Sequence, residues 1–204
     1  MKESNRYCIF KRVESYMNGK DGNTKFQLSN SFKSLLLKYP FEKITVKMIT
    51  DGAGVIRPTF YTYFPDKHAI FEWILEEELV DPLFALIDND MEQEAFKMIF
   101  HYFTKHRNFY SKAFQVKGQN GFEEILTNDL HEFFNRMLGK YELNLEETTK
   151  LLTRENLSIF YSKKIITILQ FWIMDIENTE RDADEVYEVS MFLFSHSFVD
   201  IVGK

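Results

Sequence analysis

The chain has 204 residues, enough for one or two domains with a real core, and its 45% of apolar residues mark it as globular rather than disordered. Phe is abundant (21) and Pro scarce (4), which favours long helices over sheets and turns, and the single cysteine, Cys8, excludes an intrachain disulfide and a Cys-rich metal site. The net charge of −6 hides an asymmetry: residues 1–75 carry 12 Lys+Arg and 7 Asp+Glu, and residues 76–204 carry 13 and 24. A basic first third on an acidic remainder suits a DNA-reading head joined to a body that does not touch DNA.

Residues 1–22 are polar with scattered aromatics and end in Asn18-Gly19-Lys20-Asp21-Gly22, which reads as an arm and linker. Lys2, Arg6, Lys11 and Arg12 are the basic residues such an arm offers to DNA, although arms of this kind more often fray. The apolar run Tyr7 to Phe10 is far too short for a signal-peptide core. No uninterrupted apolar run approaches the ~20 residues of a membrane span, so the expected location is the cytoplasm, with no membrane partner. Thr24-x-x-Gln27 is a capping box that opens the first helix, with Leu28, Phe32, Leu35 and Leu36 as its apolar stripe and an end before Pro40.

Residues Thr45 to Phe64 read TVKMITDGAGVIRPTFYTYF. Thr45 is an N-cap, and Val46, Ile49 and Ala53 then share one helical face. Gly52 and Gly54 supply the backbone conformations of a sharp turn, and Val55 fills the angle between two helices. In the second run Phe60 and Phe64 point inward and leave Arg57, Thr59, Tyr61 and Thr62 outside. Pro58 fits a first helical turn, where its missing N–H costs nothing, and Pro65 ends the run. Two short helices around such a turn make a helix-turn-helix, whose second helix lies in a DNA major groove.

Asp66 is the N-cap of a fourth helix with Ile70, Trp73, Ile74 and Leu79 inward, ended or kinked by Pro82. Beyond it the chain reads as successive amphipathic helices. Glu92 to about Arg107 has Phe96, Ile99, Phe100 and Phe103 inward. Phe109 to Val116 is short and closes at Lys117-Gly118-Gln119-Asn120-Gly121. Phe122 to Leu138 ends at Gly139, and Leu145 to Leu152 is short and separate. Glu155 to Ile176 and Arg181 to Val202 are densely apolar. No alternating β pattern of useful length interrupts them, so the expected fold is all-α, divided into an arm (1–22), a helix-turn-helix domain (23–68) and a helical body (69–204).

The quarter of the chain from Pro40 to Lys67 resembles the TetR-type transcriptional regulators. The matching residues are Pro40-Phe41-Glu42-Lys43-Ile44-Thr45-Val46, Ala53-Gly54-Val55, Thr59-Phe60-Tyr61 and Tyr63-Phe64-Pro65-Asp66-Lys67. The family usually has Ser or Asn where this chain has Ile56, the cap of the recognition helix. A narrower resemblance, to the dihydroxyacetone kinase regulator subgroup, rests on Pro40 to Lys47, Glu72-Trp73-Ile74, Arg107-Asn108-Phe109-Tyr110 and Gly118-Gln119-Asn120.

The resemblance implies a three-helix head on a larger helical bundle, a homodimer, double-stranded operator DNA as partner, and a small-molecule effector or a coactivator protein at the body. The DNA-facing set is then Thr45, Lys47, Arg57, Pro58, Thr59, Tyr61, Thr62, Tyr63 and Lys67. Arg57 is the base reader, since a guanidinium bonds guanine bidentately. Tyr61, Tyr63 and Lys67 resemble family positions that contact phosphates, and Lys47 can reach the opposite backbone. Phe100, Phe103, Tyr110, Phe114, Phe133 and Trp172 are candidate pocket residues, although aromatics at helical spacing are more often plain core. Ile165, Leu169, Trp172, Val189, Phe192 and Leu193 are candidate interface residues on the last two helices.

Catalysis finds little support. No nucleophile elbow, phosphate-cradling loop or His pair at ligand spacing occurs, and neither a metal nor a cofactor is expected. The expected function is a dimeric DNA-binding regulator, a repressor. The competing reading is a helical interaction module that has lost operator binding, favoured by Ile56 and the acidic total.

Overall fold

A computed structural model describes residues 20–143, 152–175 and 182–202, leaving aside the side chains of 20–23, 198 and 199. The arm candidates and most of the short helix expected at 145–152 lie outside these residues. The fold is all-α, with no strand among the described residues. The chain divides into two compact units, Met1–Glu77 and Glu78–Lys204.

In the first unit α1 (Lys20–Leu36) precedes a 3-10 turn (Phe41–Lys43), α2 (Val46–Ala53), α3 (Arg57–Tyr63) and α4 (Ala69–Leu75). Leu28, Phe32 and Leu36, four residues apart, bury one stripe of α1. Phe32 meets the edge of Phe71 at 5.0 Å, and Phe41 stacks on Phe71 at 5.6 Å. These contacts hold α4 in the first unit.

Two expectations about this unit need correction. Thr24 does not open α1, because residues 20–23 before it are already helical. A glycine inside a helix costs only about 1 kcal/mol, less than the packing of Leu28, Phe32 and Leu36 returns. Gly52 is not a turn residue either. It lies inside α2, and a Cβ there would stand 2.3 Å from the Ser31 hydroxyl, which donates to the Ile49 carbonyl at 2.8 Å. Gly52 lets α2 lie close to α1, while Gly54, at φ +69°, turns the chain alone.

α4 passes into a π-helical turn (Glu76–Val80) and then α5 (Asp81–Asp88), with Pro82 in its first turn. The second unit continues with α6 (Glu92–Lys105), α7 (Arg107–Ala113), α8 (Phe122–Gly139), α9 (Arg154–Met174), α10 (Ala183–Ser195) and α11 (Phe198–Val202). The last two form where one helix was expected. His196 is extended, and Ser197 precedes α11, where its N–H and hydroxyl both donate to Asp200 Oδ2, at 2.8 and 2.6 Å.

α9 is long and apolar enough to cross a membrane by length and composition. One side of it packs inward, with Ile165, Ile166, Leu169 and Ile173 buried in the second unit. Polar ties join the elements of this unit. Asp184, at the start of α10, accepts from Lys97 Nζ at 2.6 Å and meets His101 Nε2 at 3.0 Å. Lys140 at the end of α8 bonds the Ile87 carbonyl at 2.7 Å, Glu92 at 2.8 Å and Asp90.

Candidate nucleic-acid interface

α2 and α3 carry the site. The Thr45 hydroxyl accepts from the Met48 N–H at 3.2 Å and caps α2. Gly54 ends that helix, and the Val55 N–H returns to the Thr50 carbonyl at 3.0 Å. α3 then starts at Arg57 with Pro58 in its first turn and stops at Phe64, whose backbone is extended as Pro65 requires. Phe60 and Phe64 are buried, with ring centres 5.8 Å apart, and they fix the inner face of α3.

The opposite face is open. Arg57, Pro58, Tyr61 and Thr62 are exposed, and Thr59 and Tyr63 are half-buried. Arg57 Nη2 donates to the Tyr61 hydroxyl at 3.1 Å, and its guanidinium carbon lies 5.6 Å from the Tyr61 ring centre. The pair one turn apart presents a cation whose rotamer freedom is already reduced. The Thr62 hydroxyl donates back to the Pro58 carbonyl at 3.3 Å, which turns its methyl group outward. On α2, Thr45 and Lys47 are exposed on the same short motif, and Lys47 makes only a loose contact of 3.9 Å with Asp51.

Ile56 occupies the cap position of α3 with extended backbone, gives no side-chain cap and is 70% exposed. An apolar residue there leaves backbone N–H groups of the first turn without the usual partner. Ile56→Ser is therefore expected to raise the stability of the first unit by about 1 kcal/mol, read as a later urea midpoint with an unchanged slope.

Lys67 is half-buried at the start of the segment leading into α4. Its ammonium turns inward, donating to the carbonyls of Phe41 (2.6 Å) and Ile44 (2.9 Å). Burial pushes its pKa below the ordinary lysine value, against the opposing pull of Glu42. Asp66 does cap α4, with Oδ1 accepting from the N–H groups of His68 (2.7 Å) and Ala69 (3.1 Å).

In the second unit, Phe100, Phe103, Tyr110, Phe114 and Phe133 are all buried. Tyr110 touches Phe103 at 4.5 Å and Phe122 at 5.3 Å, whereas Phe133 packs on Phe96 and Phe134. Trp172 is half-buried beside Phe171. A polar chain that sequence reasoning missed runs through this region. The Tyr102 hydroxyl donates to Glu78 Oε2 at 2.9 Å and lies 2.5 Å from the Tyr110 hydroxyl. Burial raises the pKa of both phenols well above the ordinary value, so both stay protonated donors. Only the polar tips of Tyr102 and Tyr110 amid an aromatic run hinted at it.

Of the candidate interface residues, Ile165 and Leu169 face the core of their own unit, while Val189, Phe192 and Leu193 are exposed. The outward stripe of α9 is instead Phe160, Lys163, Thr167, Phe171 and Met174, with Phe160 59% and Phe171 66% exposed. The spacing error is simple: α9 is apolar on two sides, and its sequence does not say which side the neighbouring helices cover.

Known proteins match both units. Residues 33–74 match the model of bacterial regulatory proteins of the tetR family, and residues 90–188 match a transcriptional regulator C-terminal region. The chain is 26% identical over 89 residues to the HTH-type dhaKLM operon transcriptional activator DhaS of Lactococcus lactis, covering 44% of this chain and 48% of that protein. It is 38% identical over 64 residues to the HTH-type transcriptional regulator EthR of Mycolicibacterium smegmatis, covering 31% of this chain and 27% of EthR. The chain thus spans about half the length of the first of these curated relatives (48%) and about a quarter of the second (27%).

The fold is shared with solved structures. The dihydroxyacetone kinase operon activator DhaS superposes with a TM-score of 0.57 at 19% identity, over 84% of this chain and 96% of that one. The TetR-family repressor FadR of Thermus thermophilus, solved with lauroyl-CoA, superposes at 0.55 and 16% identity, over 86% and 95%. The two family models, one on each unit, and the helix-turn-helix inside the first of them agree: the chain belongs to the TetR family of bacterial transcriptional regulators.

Proposed function

We propose that the chain is a dimeric operator-binding repressor of the cytoplasm, read out through α3 and controlled by a small ligand or a protein partner at the second unit. The observation that carries this reading is the two-sided character of α3. Phe60 and Phe64 anchor it, and Arg57, Tyr61 and Thr62 stand outward without a protein core to cover them. A solvent-facing helix of a protein with no DNA partner has no need for a guanidinium held by a tyrosine at the tip of a helix-turn-helix. Arg57 reads a base edge; Thr45, Lys47, Tyr61 and Tyr63 meet phosphates; Thr59 and Thr62 meet base edges or a thymine methyl.

Two copies are needed to span two half-sites, and the outward stripes of α9 and α10 supply the surface for them. Phe160, Phe171, Met174, Val189, Phe192 and Leu193 are each exposed. Two helices from each copy would make a four-helix bundle and bury these side chains. The Glu78–Tyr102–Tyr110 chain offers an effector hydrogen-bonding groups in aromatic surroundings, the composition of a ligand site. FadR, named as a repressor, holds lauroyl-CoA, and DhaS is named as an activator. A reporter placed behind the chain's own promoter reads the sign of regulation here.

The test is the affinity of the purified chain for genomic fragments that it selects itself, followed against salt concentration. Phosphate contacts require a steep loss of affinity with salt. A chain that selects no sequence and shows no such loss is the interaction module instead.

A further inference from the structure

Ile56 is the most exposed large apolar side chain among the described residues, at 70%. It stands in the link between α2 and α3, with extended backbone, directly before Arg57. Val55 before it is half-buried, so the chain covers one apolar residue of the link and leaves the next uncovered. Arg57 and Pro58 are exposed as well, and three successive residues thus form one open surface at the leading end of α3. Arg57 does not shield its neighbour. Its guanidinium is drawn one turn along α3, to the Tyr61 hydroxyl at 3.1 Å.

Isoleucine serves the fold poorly at this position. It has no oxygen to accept from the N–H groups of the first turn, and no side-chain bond caps α3. The inner face of the helix is anchored by the buried Phe60 and Phe64 without it. On DNA its chemistry is narrow. An isoleucine neither donates nor accepts, so it gains nothing from a phosphate or from the polar edges of guanine, adenine and cytosine. The apolar group that a base pair presents in the major groove is the C5 methyl of thymine. In a helix-turn-helix, the residues at the leading end of the second helix are those that meet base edges. The β-branched side chain also has few rotamers to lose on contact.

We propose that Ile56 is a specificity-determining residue that packs on a thymine methyl in each half-site, next to the base pair read by Arg57. The proposal rests on α3 being the DNA-reading helix. It gives the uncapped start of α3 a use in choosing sequence, through a contact that releases no counterions.

The experiment takes a genomic fragment selected by the unaltered protein and replaces its thymines with deoxyuridine, one position at a time and in both half-sites. Deoxyuridine keeps the O4 acceptor and lacks the methyl. One position in each half-site, beside the one at which Arg57→Ala relaxes the choice of base, is expected to weaken binding about 10-fold, a few-fold for each methyl lost. In Ile56→Ala the affinity for the thymine fragment falls by a similar factor, and deoxyuridine at that position no longer matters. Ile56→Val keeps part of the sensitivity. The slope of log affinity against log salt is unchanged in both variants. Alanine caps a helix no better than isoleucine and the replaced side chain is exposed, so the circular dichroism melt of Ile56→Ala is expected to stay in place.

The deoxyuridine series on the unaltered protein is independent of how any variant folds. A methyl touched by Thr59 or Thr62 matters equally to the unaltered protein and to Ile56→Ala. The proposal is overturned if every sensitive position behaves in that way, if no position is sensitive, or if the fragment has no thymine beside the Arg57 position. Failure of the unaltered chain to select any fragment removes the reading of α3 itself, and that outcome is visible before any substitution is made.

Discussion

Arg57→Ala together with Tyr61→Ala is expected to weaken operator binding by a factor of about 100 or more, with the fold unchanged. Each bidentate base contact is worth about 1–3 kcal/mol, and a dimer loses two. Tyr61 adds its own contact and the bond that holds Arg57 at 3.1 Å. Both residues are exposed, so removing them leaves no cavity and the circular dichroism melt should not move. The single Arg57→Ala change should also relax the sequence chosen at one position in each half-site, whereas Tyr61→Ala should weaken all fragments alike. Gel-shift titration of both variants on matched and altered fragments separates these effects. An unaltered affinity in the double variant would mean that α3 does not read DNA.

A second large effect is expected on the opposite unit. Phe171→Glu together with Phe192→Glu places two carboxylates on the outward stripes of α9 and α10, where each phenylalanine is about half exposed or more in the single chain, at 66% and 47%. Charges that must be buried unpaired on association oppose it strongly. Light scattering should report a monomer in place of a dimer. Affinity for a fragment with two half-sites should fall roughly 100-fold, because the second head no longer benefits from being tethered to the first. Affinity for one isolated half-site should stay as it was. Ile165→Glu is the contrasting change: Ile165 is fully buried, so it should unfold the second unit rather than split a dimer.

Much of the reading head was legible because its signals are local. Thr45 caps, Gly54 turns, Pro58 starts and Pro65 stops, and each acts within about one helical turn of its own backbone. Phe60 and Phe64 declare the inner face by spacing alone. The misread features depend on partners far along the chain. Gly52 owes its identity to Ser31. The Glu78–Tyr102–Tyr110 chain likewise arises from tertiary packing.

The body is a different case. Its helices were found by their period, but the covered side of α9 depends on where its neighbours lie. The break before α11 carried a local signal, the Ser197-x-x-Asp200 pair, which the continuous apolar pattern around it obscured. The capping box at Thr24 does not start the helix, since α1 already runs from Lys20.

The measurement that tests the account most directly is the salt dependence of binding by the unaltered chain to a genomic fragment it has selected. Lys47 from each of two subunits brings a cation to the backbone. The logarithm of affinity is then expected to fall linearly with the logarithm of salt concentration, with a slope of about −2 or steeper. A slope near zero, or equal binding to the selected fragment and to unrelated DNA, would contradict sequence reading by α3.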